Sequence, residues 1–213
     1  MTKLIGGIDE AGRGPVIGPM VLAGVVMRED RLQKLVDMGA RDSKKLTPKK
    51  RAELAPLIEC AANRLLYVEV TPEEIDARVD KGITLNQLEA EKIVFMINQL
   101  KPDKVYIDCP DVNPERFTQW LKNGVKSKQV EIVAQHYADE SIPVVSAASI
   151  VAKVRRDNRL KELSERLGDI GSGYPSDPRT MLYLEKALAH GDRMAESHTS
   201  LRHSWATVKR LRK

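Results

Sequence analysis

Apolar residues run almost without interruption from Met20 to Met27, and a shorter apolar run, Leu4-Ile5-Gly6-Gly7-Ile8, precedes them. Both runs predict apolar strands, the longer one covered on both faces, and the Gly12 to Pro19 segment between them predicts a hairpin. From residue 47 the spacing becomes helical. Thr47-Pro48 predicts a capped helix with proline in its first turn, carrying Leu54, Leu57 and Ile58. Arg64 to Val70 returns to strand character, and Thr71-Pro72-Glu73-Glu74 is a second capping signature. Thr84 opens a long helix with Leu85, Leu88, Ile93, Met96 and Ile97 broadly on one face. Lys104 to Asp108 predicts a short strand, Asn113-Pro114-Glu115 the cap of another helix, and Gln129 to Gln135 a further strand. Trp120, at helical spacing from Phe117 and Leu121, reads as core. Pro143 precedes a helix rich in small residues through Val154; beyond Gly168 the pattern predicts a loop, a helix from Pro178 and a basic terminal helix. Strands followed by strands, then strands alternating with helices, describe a mixed α/β sheet flanked by helices, with a C-terminal helical extension.

At 213 residues the chain suits one large domain and is short for a second full one. A formal charge of +5 and a pI near 9.1 suit an anionic partner, although both signs are mixed along the chain. Cys60 and Cys109 are the only cysteines, which excludes a disulfide framework or a cysteine-based zinc site and makes a reducing interior the default. Cys109 reads as a small buried filler. No apolar stretch approaches the roughly 20 residues of a membrane span, and the N-terminus has no signal pattern. A cytoplasmic protein with no membrane partner is expected.

Acids at the ends of the predicted strands change the picture. Asp9 and Glu10 follow the first apolar run, and the chain then breaks into Ala11-Gly12-Arg13-Gly14-Pro15. Adjacent residues of a strand face opposite sides of the pleat, so only a strand end or a bulge lets both carboxylates reach one point. Asp108 ends Val105-Tyr106-Ile107-Asp108, and Asp139 follows the strand that leads into His136-Tyr137-Ala138. Each acid alone has a plainer reading, as a turn residue or a helix cap. Together they favour a site for a hard divalent cation, since converging carboxylates need a positive charge to be tolerated. Two such cations about 3.5–4 Å apart can drive phosphodiester hydrolysis without a protein nucleophile. No Gly-x-Ser-x-Gly elbow, Walker loop or His-Glu-x-x-His spacing is present. Gly12 and Gly14 let a ligand approach the backbone closely, and Arg13 carries a planar fork suited to phosphate.

The pieces from Gly7 to Pro19, Asp42-Ser43-Lys44-Lys45-Leu46, Tyr106-Ile107-Asp108, Ala138-Asp139, Ser146-Ala147-Ala148-Ser149-Ile150-Val151-Ala152-Lys153 and Gly171 to Thr180 together resemble ribonuclease HII, the type 2 ribonuclease H family, and look most like its archaeal branch. The resemblance covers nearly the whole chain. It implies a ribonuclease H-like sheet over residues 1–168, with 169–213 as a loop and helical extension packed on that core. It also implies dependence on Mg²⁺ or Mn²⁺, a monomer, and endonucleolytic cleavage of RNA–DNA hybrids and of duplex DNA containing ribonucleotides, leaving a 3′-hydroxyl and a 5′-phosphate. The catalytic and metal-binding carboxylates fall on Asp9, Glu10, Asp108 and Asp139, the junction reader on Gly12, Arg13 and Gly14, and the substrate-contacting tyrosine on Tyr174. Two departures stand out. Tyr137 replaces a basic residue common before the Ala-Asp pair, and the chain reaches Lys213 without the glutamine and paired-aromatic tail by which some relatives bind a sliding clamp.

Telling RNA from DNA requires sensing the 2′-hydroxyl, which the resemblance implies is done by backbone exposed at Gly12 and Gly14. Ser43, Lys44 and Lys45 are candidate phosphate contacts, with a solvated basic turn as the alternative. Ser146, Ser149 and Lys153 share a helix face, and the two serines are candidates to line the substrate groove. Tyr174 is either a stacking platform or a tyrosine packed in a rigid loop. In the terminal stretch Leu201, Trp205, Val208 and Leu211 repeat at helical spacing, so that side should dock, while Arg202, Lys209, Arg210, Arg212 and Lys213 should face a duplex, with a merely solubilising basic tail as the alternative. A non-catalytic hybrid-binding module is the rival reading, disfavoured by the presence of all four acids. A DNA nuclease or strand-transfer enzyme of the same fold is disfavoured by Gly12-Arg13-Gly14 and Tyr174.

Overall fold

The structure is a computed structural model that describes residues 2–40, 45–190 and 199–212. Ser43 and Lys44 lie outside the described residues. Strands β1 (Leu4–Ala11), β2 (Met20–Arg28), β3 (Arg64–Val70), β4 (Lys104–Asp108) and β5 (Glu131–Gln135) form one sheet in the order β3-β2-β1-β4-β5. β1 is antiparallel to β2 and parallel to β4, and β4 is parallel to β5, so the sheet is mixed as expected. The helices are α1 (Gln33–Asp37), α2 (Pro48–Ala61), α3 (Pro72–Asp80), α4 (Leu85–Leu100), α5 (Pro114–Gly124), α6 (Ala138–Ser141), α7 (Pro143–Leu167), α8 (Pro178–His190) and α9 (Ala206–Leu211). Thr47 and Asn113 cap α2 and α5 through their side chains, and Thr71 with Glu74 forms a full capping box on α3.

Four differences from the sequence pattern concern where elements end and what they bury. β1 does not stop before Asp9: its ladder with β2 continues in regular register to Ala11↔Val21, carrying both acids within the strand. α7 extends past Val154 to Leu167, because the following stretch lacks Gly and Pro until Gly168, whose left-handed backbone ends the helix with its N–H on Ser164 O. The terminal helix is short, beginning only at Ala206, and Leu201 and Arg202 precede it as buried residues. Trp120 is half-buried rather than core; it meets the buried Phe117 edge to face, and Arg116 lies over its ring.

Alternation along β1 puts Ile5, Gly7, Asp9 and Ala11 on one face of the sheet and Gly6, Ile8 and Glu10 on the other. The first face is covered by Leu54, Ala55 and Ile58 of α2 and by Val144 to Ala152 of α7. Gly7 makes the approach of α7 possible: a Cβ there would stand 2.4 Å from the backbone carbon and oxygen of Val144. On the second face α4 comes as close to Gly24, whose added Cβ would meet Leu100 Cδ1 at 2.5 Å and Met96 Cε at 3.0 Å.

The chain divides into two compact units interleaved in sequence. The first comprises Met1–Ala11, Val21–Val68 and Asn86–Val154; the second comprises Gly12–Met20, Glu69–Leu85 and the chain from Arg155 onward. The first holds most of the sheet and the core just described. The second has its own core, in which Val16 and Ile17 pack with Leu160, Ile170, Leu184 and Leu201. Among the described residues no helix is long and apolar enough to cross a membrane.

Candidate functional site

Within the first unit, one carboxylate oxygen each from Asp9, Asp108 and Asp139 lies within 4.8 Å of the other two. Three elements deliver them. Asp9 sits in β1 just past the last β1–β4 pair, Ile8↔Ile107, while Asp108 is the last residue of β4. Asp139 comes from α6, the single turn after β5. Tyr137 enters that turn in the left-handed conformation, at φ 57°, with its side chain exposed. The reversal lets the next amide, Ala138 N–H, donate to Asp108 Oδ1 at 2.8 Å.

Asp9 and Asp139 are buried, and Asp108 is partly so. Burial pushes the Asp9 carboxyl well above the usual carboxylate range, and the charges of Glu10 and Asp108 push it the same way. Hydrogen bonds from the Ser149 hydroxyl and from Glu10 N–H, the latter at 2.8 Å, work against that rise. Ser149 in turn accepts from Lys153 Nζ at 2.9 Å. The donor set is entirely hard oxygen and carries more negative charge than a buried site tolerates unaided, so a hard divalent cation fits it. Glu10 stands apart. With no bulge in the ladder it projects from the opposite face of β1, and its carboxylate is outside the group of three.

Ser146 and Ser149, the candidate groove residues, are both fully buried. Ser149 serves Asp9, and the Ser146 hydroxyl has no hydrogen-bond partner among the described residues. Cys109 is buried beside Asp108, its thiol pushed up by burial, consistent with a packing role. Lys45 is exposed.

The second unit contains Gly12, Arg13, Gly14 and Tyr174. Gly12 has φ 82°, and a Cβ on it would lie 2.9 Å from Pro19 O, so only glycine fits. Gly14 is exposed, and its added Cβ would meet the Tyr174 ring at 3.5 Å. Tyr174 is half-buried under Arg156, whose guanidinium carbon lies 5.0 Å from the ring centre. The loop is laced to later chain: Val16 N–H donates to Gly173 O, Gly18 N–H to Ser200 O and Arg202 N–H to Val16 O.

One residue was misassigned from sequence. Arg202, expected on a duplex-facing basic surface, is 0% exposed and gives its guanidinium to the carbonyls of Gly12, Arg13 and Gly18. Burial, then the nearby Arg156, pushes it down to about 9, still protonated at neutral pH. A charged residue in a basic tail ordinarily signals solvent, and its only warning in the sequence is the apolar Leu201 beside it.

Comparison with known proteins agrees on one family. The family model of Ribonuclease HII matches residues 6–208. A curated ribonuclease HII from Thermococcus kodakarensis is 48% identical over 210 residues, covering 97% of this chain and 89% of that one. Among solved structures, the ribonuclease H2 of Pyrococcus horikoshii superposes with a TM-score of 0.88 at 41% identity, covering 98% of this chain and 97% of that one. A PCNA:RNase HII complex from Archaeoglobus fulgidus gives 0.84 at 44% identity with the same coverage.

Proposed function

The chain belongs to the ribonuclease HII family and is a ribonuclease H endonuclease, and from that premise we propose how its residues divide the work. It hydrolyses RNA paired with DNA. It also incises duplex DNA on the 5′ side of a single embedded ribonucleotide, leaving 3′-hydroxyl and 5′-phosphate ends. The convergence of the Asp9, Asp108 and Asp139 carboxylates carries this reading.

Asp9, Asp108 and Asp139 would hold a divalent cation, Mg²⁺ or Mn²⁺. An ion bound there supplies Lewis-acid polarisation of the scissile phosphate and a water of lowered pKa. Glu10 adds negative charge from the other face of β1. Ser149 and Glu10 N–H fix the Asp9 carboxylate so that its remaining lone pairs keep one direction. Ala138 N–H does the same for Asp108.

Gly12, Arg13 and Gly14 read the ribose. Their support is the exposure of Gly14, which gives a 2′-hydroxyl access to main-chain groups there, and the left-handed backbone by which Gly12, itself buried rather than exposed as expected, turns the chain into it. The Tyr174 ring beside Gly14 offers a flat surface to the sugar. Arg13 and Lys45 contact phosphate, and Ser43 and Lys44 join them on the strength of the motif. These backbone contacts position the duplex and carry no base sequence.

The test is cleavage of duplex DNA containing one ribonucleotide, beside all-DNA and RNA–DNA hybrid duplexes, in Mg²⁺, in Mn²⁺ and in EDTA. Cutting of both ribose-containing substrates, dependence on metal, and loss in Asp9→Asn and Asp108→Asn are expected. Cleavage of the hybrid alone would remove the embedded-ribonucleotide activity, and full turnover in either variant would remove the site assignment.

A further inference from the structure

Three consecutive carbonyls of the Gly12-Arg13-Gly14 loop accept hydrogen bonds from two side chains of the C-terminal segment. Arg202 Nη2 donates to Gly12 O at 2.6 Å and Nη1 to Arg13 O at 2.9 Å, while Nε reaches Gly18 O at 3.0 Å. Trp205 Nε1 donates to Gly14 O at 3.3 Å. The planar fork of a guanidinium suits it to several acceptors at fixed angles, which the ammonium of lysine cannot reproduce.

The two donors are themselves held. Arg78 and Arg202 place their guanidinium carbons 4.9 and 5.1 Å from the Trp205 ring centre. Asp76 of α3 accepts from His203 N–H at 2.7 Å and from Ser204 N–H at 2.9 Å. Arg202 is fully buried, so its charge is unavailable to a duplex and is turned on the loop.

Peptide planarity converts this grip into an orientation. In a trans peptide the C=O and the following N–H point in opposite directions. Fixing the Gly12 carbonyl therefore turns the Arg13 N–H away from Arg202, and fixing the Arg13 carbonyl does the same for the Gly14 N–H. The Gly14 carbonyl is followed by Pro15, which has no N–H. We propose that Arg202 and Trp205 are positioning residues that hold the loop's carbonyls so that the Arg13 and Gly14 amides face a ribose hydroxyl. The proposal rests on the reading of Gly12 to Gly14 as the ribose sensor.

The experiment compares wild type with Arg202→Lys, Arg202→Met and Trp205→Phe. It measures kcat/KM on a duplex with one embedded ribonucleotide and on a long RNA–DNA hybrid, hydrogen exchange of residues 12–18, and Tm. The ratio of the two kcat/KM values is independent of the folded fraction, so a merely structural role would not move it. A single ribonucleotide offers one 2′-hydroxyl in one register, whereas a hybrid offers many. Arg202→Lys and Arg202→Met should lower the ratio by about tenfold, the scale of lost hydrogen bonds to a charged group, and speed exchange across residues 12–18. Trp205→Phe, which keeps a ring and removes the donor, should do both to a smaller degree. If the Arg202 variants fail to fold, Trp205→Phe decides by the same two readouts. An unchanged ratio overturns the proposal, whether or not exchange speeds up. A wild type that cuts a 2′-fluoro control as fast as the ribonucleotide instead overturns the sensor reading, and exchange then decides the grip of Arg202 and Trp205 by itself.

Discussion

Ser149 donates its hydroxyl to the carboxylate of Asp9, and it does so from a helix that reaches β1 only because residue 7 is glycine. Gly7 and Asp9 share one face of the strand, so the close approach at Gly7 is repeated two residues later as a hydrogen bond at the carboxylate cluster. Helix packing and site geometry are therefore one constraint.

Gly7→Ala tests that constraint. Its Cβ would meet Val144 and Val145 backbone at 2.4–2.6 Å, and backbone cannot step aside as a side chain can. Overpacking of this kind costs about 1–3 kcal/mol, and α7 should draw away from Asp9, lowering Mn²⁺ affinity as well as Tm. Gly6→Ala is the internal control on the opposite face, where only the Val105 and Pro102 side chains come within 3.2–3.4 Å. Denaturant melts and Mn²⁺ titration of both variants decide it; equal effects would mean the Gly7 contact is not special.

The raised carboxyl of Asp9 gives a pH dependence of known sign. The folded protein binds that proton more tightly than the unfolded chain does. The unfolded chain therefore carries fewer protons between about pH 4 and the raised value, and stability falls as pH rises through that window. In EDTA at pH 8, Asp9→Asn should melt above wild type by about 2–4 °C, the shift that ~1 kcal/mol produces in a chain of this size, although cleavage is lost. The gap should close toward pH 4, and Mn²⁺ should stabilise wild type more at pH 8 than at pH 5. Scanning calorimetry at the two pH values is the check, and a variant less stable than wild type in EDTA at pH 8 contradicts the raised carboxyl.

Local signals were legible in the sequence because their causes are local. Thr47, the Thr71-Glu74 pair and Asn113 cap the helices they precede, and β3 and β4 span the residues their patterns predict. The non-local features were hidden. Nothing in Tyr137 announces a left-handed residue, so the turn that carries Asp139 was missed, and no periodicity says that the guanidinium of Arg202 meets carbonyls 184 to 190 positions earlier. Asp9 and Glu10 look equivalent as neighbours. The unbroken pairing with β2, which separates them onto two faces, is a property of the sheet rather than of the dipeptide.

Ser146 and Ser149 lie one helical turn apart and should behave oppositely. Ser149→Ala removes a donor that opposes the rise of Asp9, so the carboxyl should climb further, Mn²⁺ binding at neutral pH should weaken, and turnover should fall about tenfold. Ser146→Ala removes a buried hydroxyl that has no partner among the described residues, so it should leave stability unchanged or raise it by up to about 1 kcal/mol. Calorimetric Mn²⁺ titration and thermal melts separate the two. A destabilised Ser146→Ala, or an unaffected Ser149→Ala, would reverse the assignment.

Glu10 and Asp139 should separate in the same way. Asp139 supplies one of the three clustered oxygens, whereas Glu10 acts on Asp9 through its charge from the opposite face of β1. Asp139→Asn should therefore cost Mn²⁺ affinity at every pH. Glu10→Gln removes a like charge that raises Asp9, so the Asp9 carboxyl should move back toward the usual range. The pH midpoint of Mn²⁺ binding should then shift downward, with affinity at pH 8 reduced less than in Asp139→Asn. Binding isotherms between pH 5 and 8 for the two variants provide the comparison. If Glu10→Gln loses as much affinity as Asp139→Asn across that range, with no downward shift, Glu10 is a direct ligand, and its side chain must turn from its own face toward the other three acids when the cation binds.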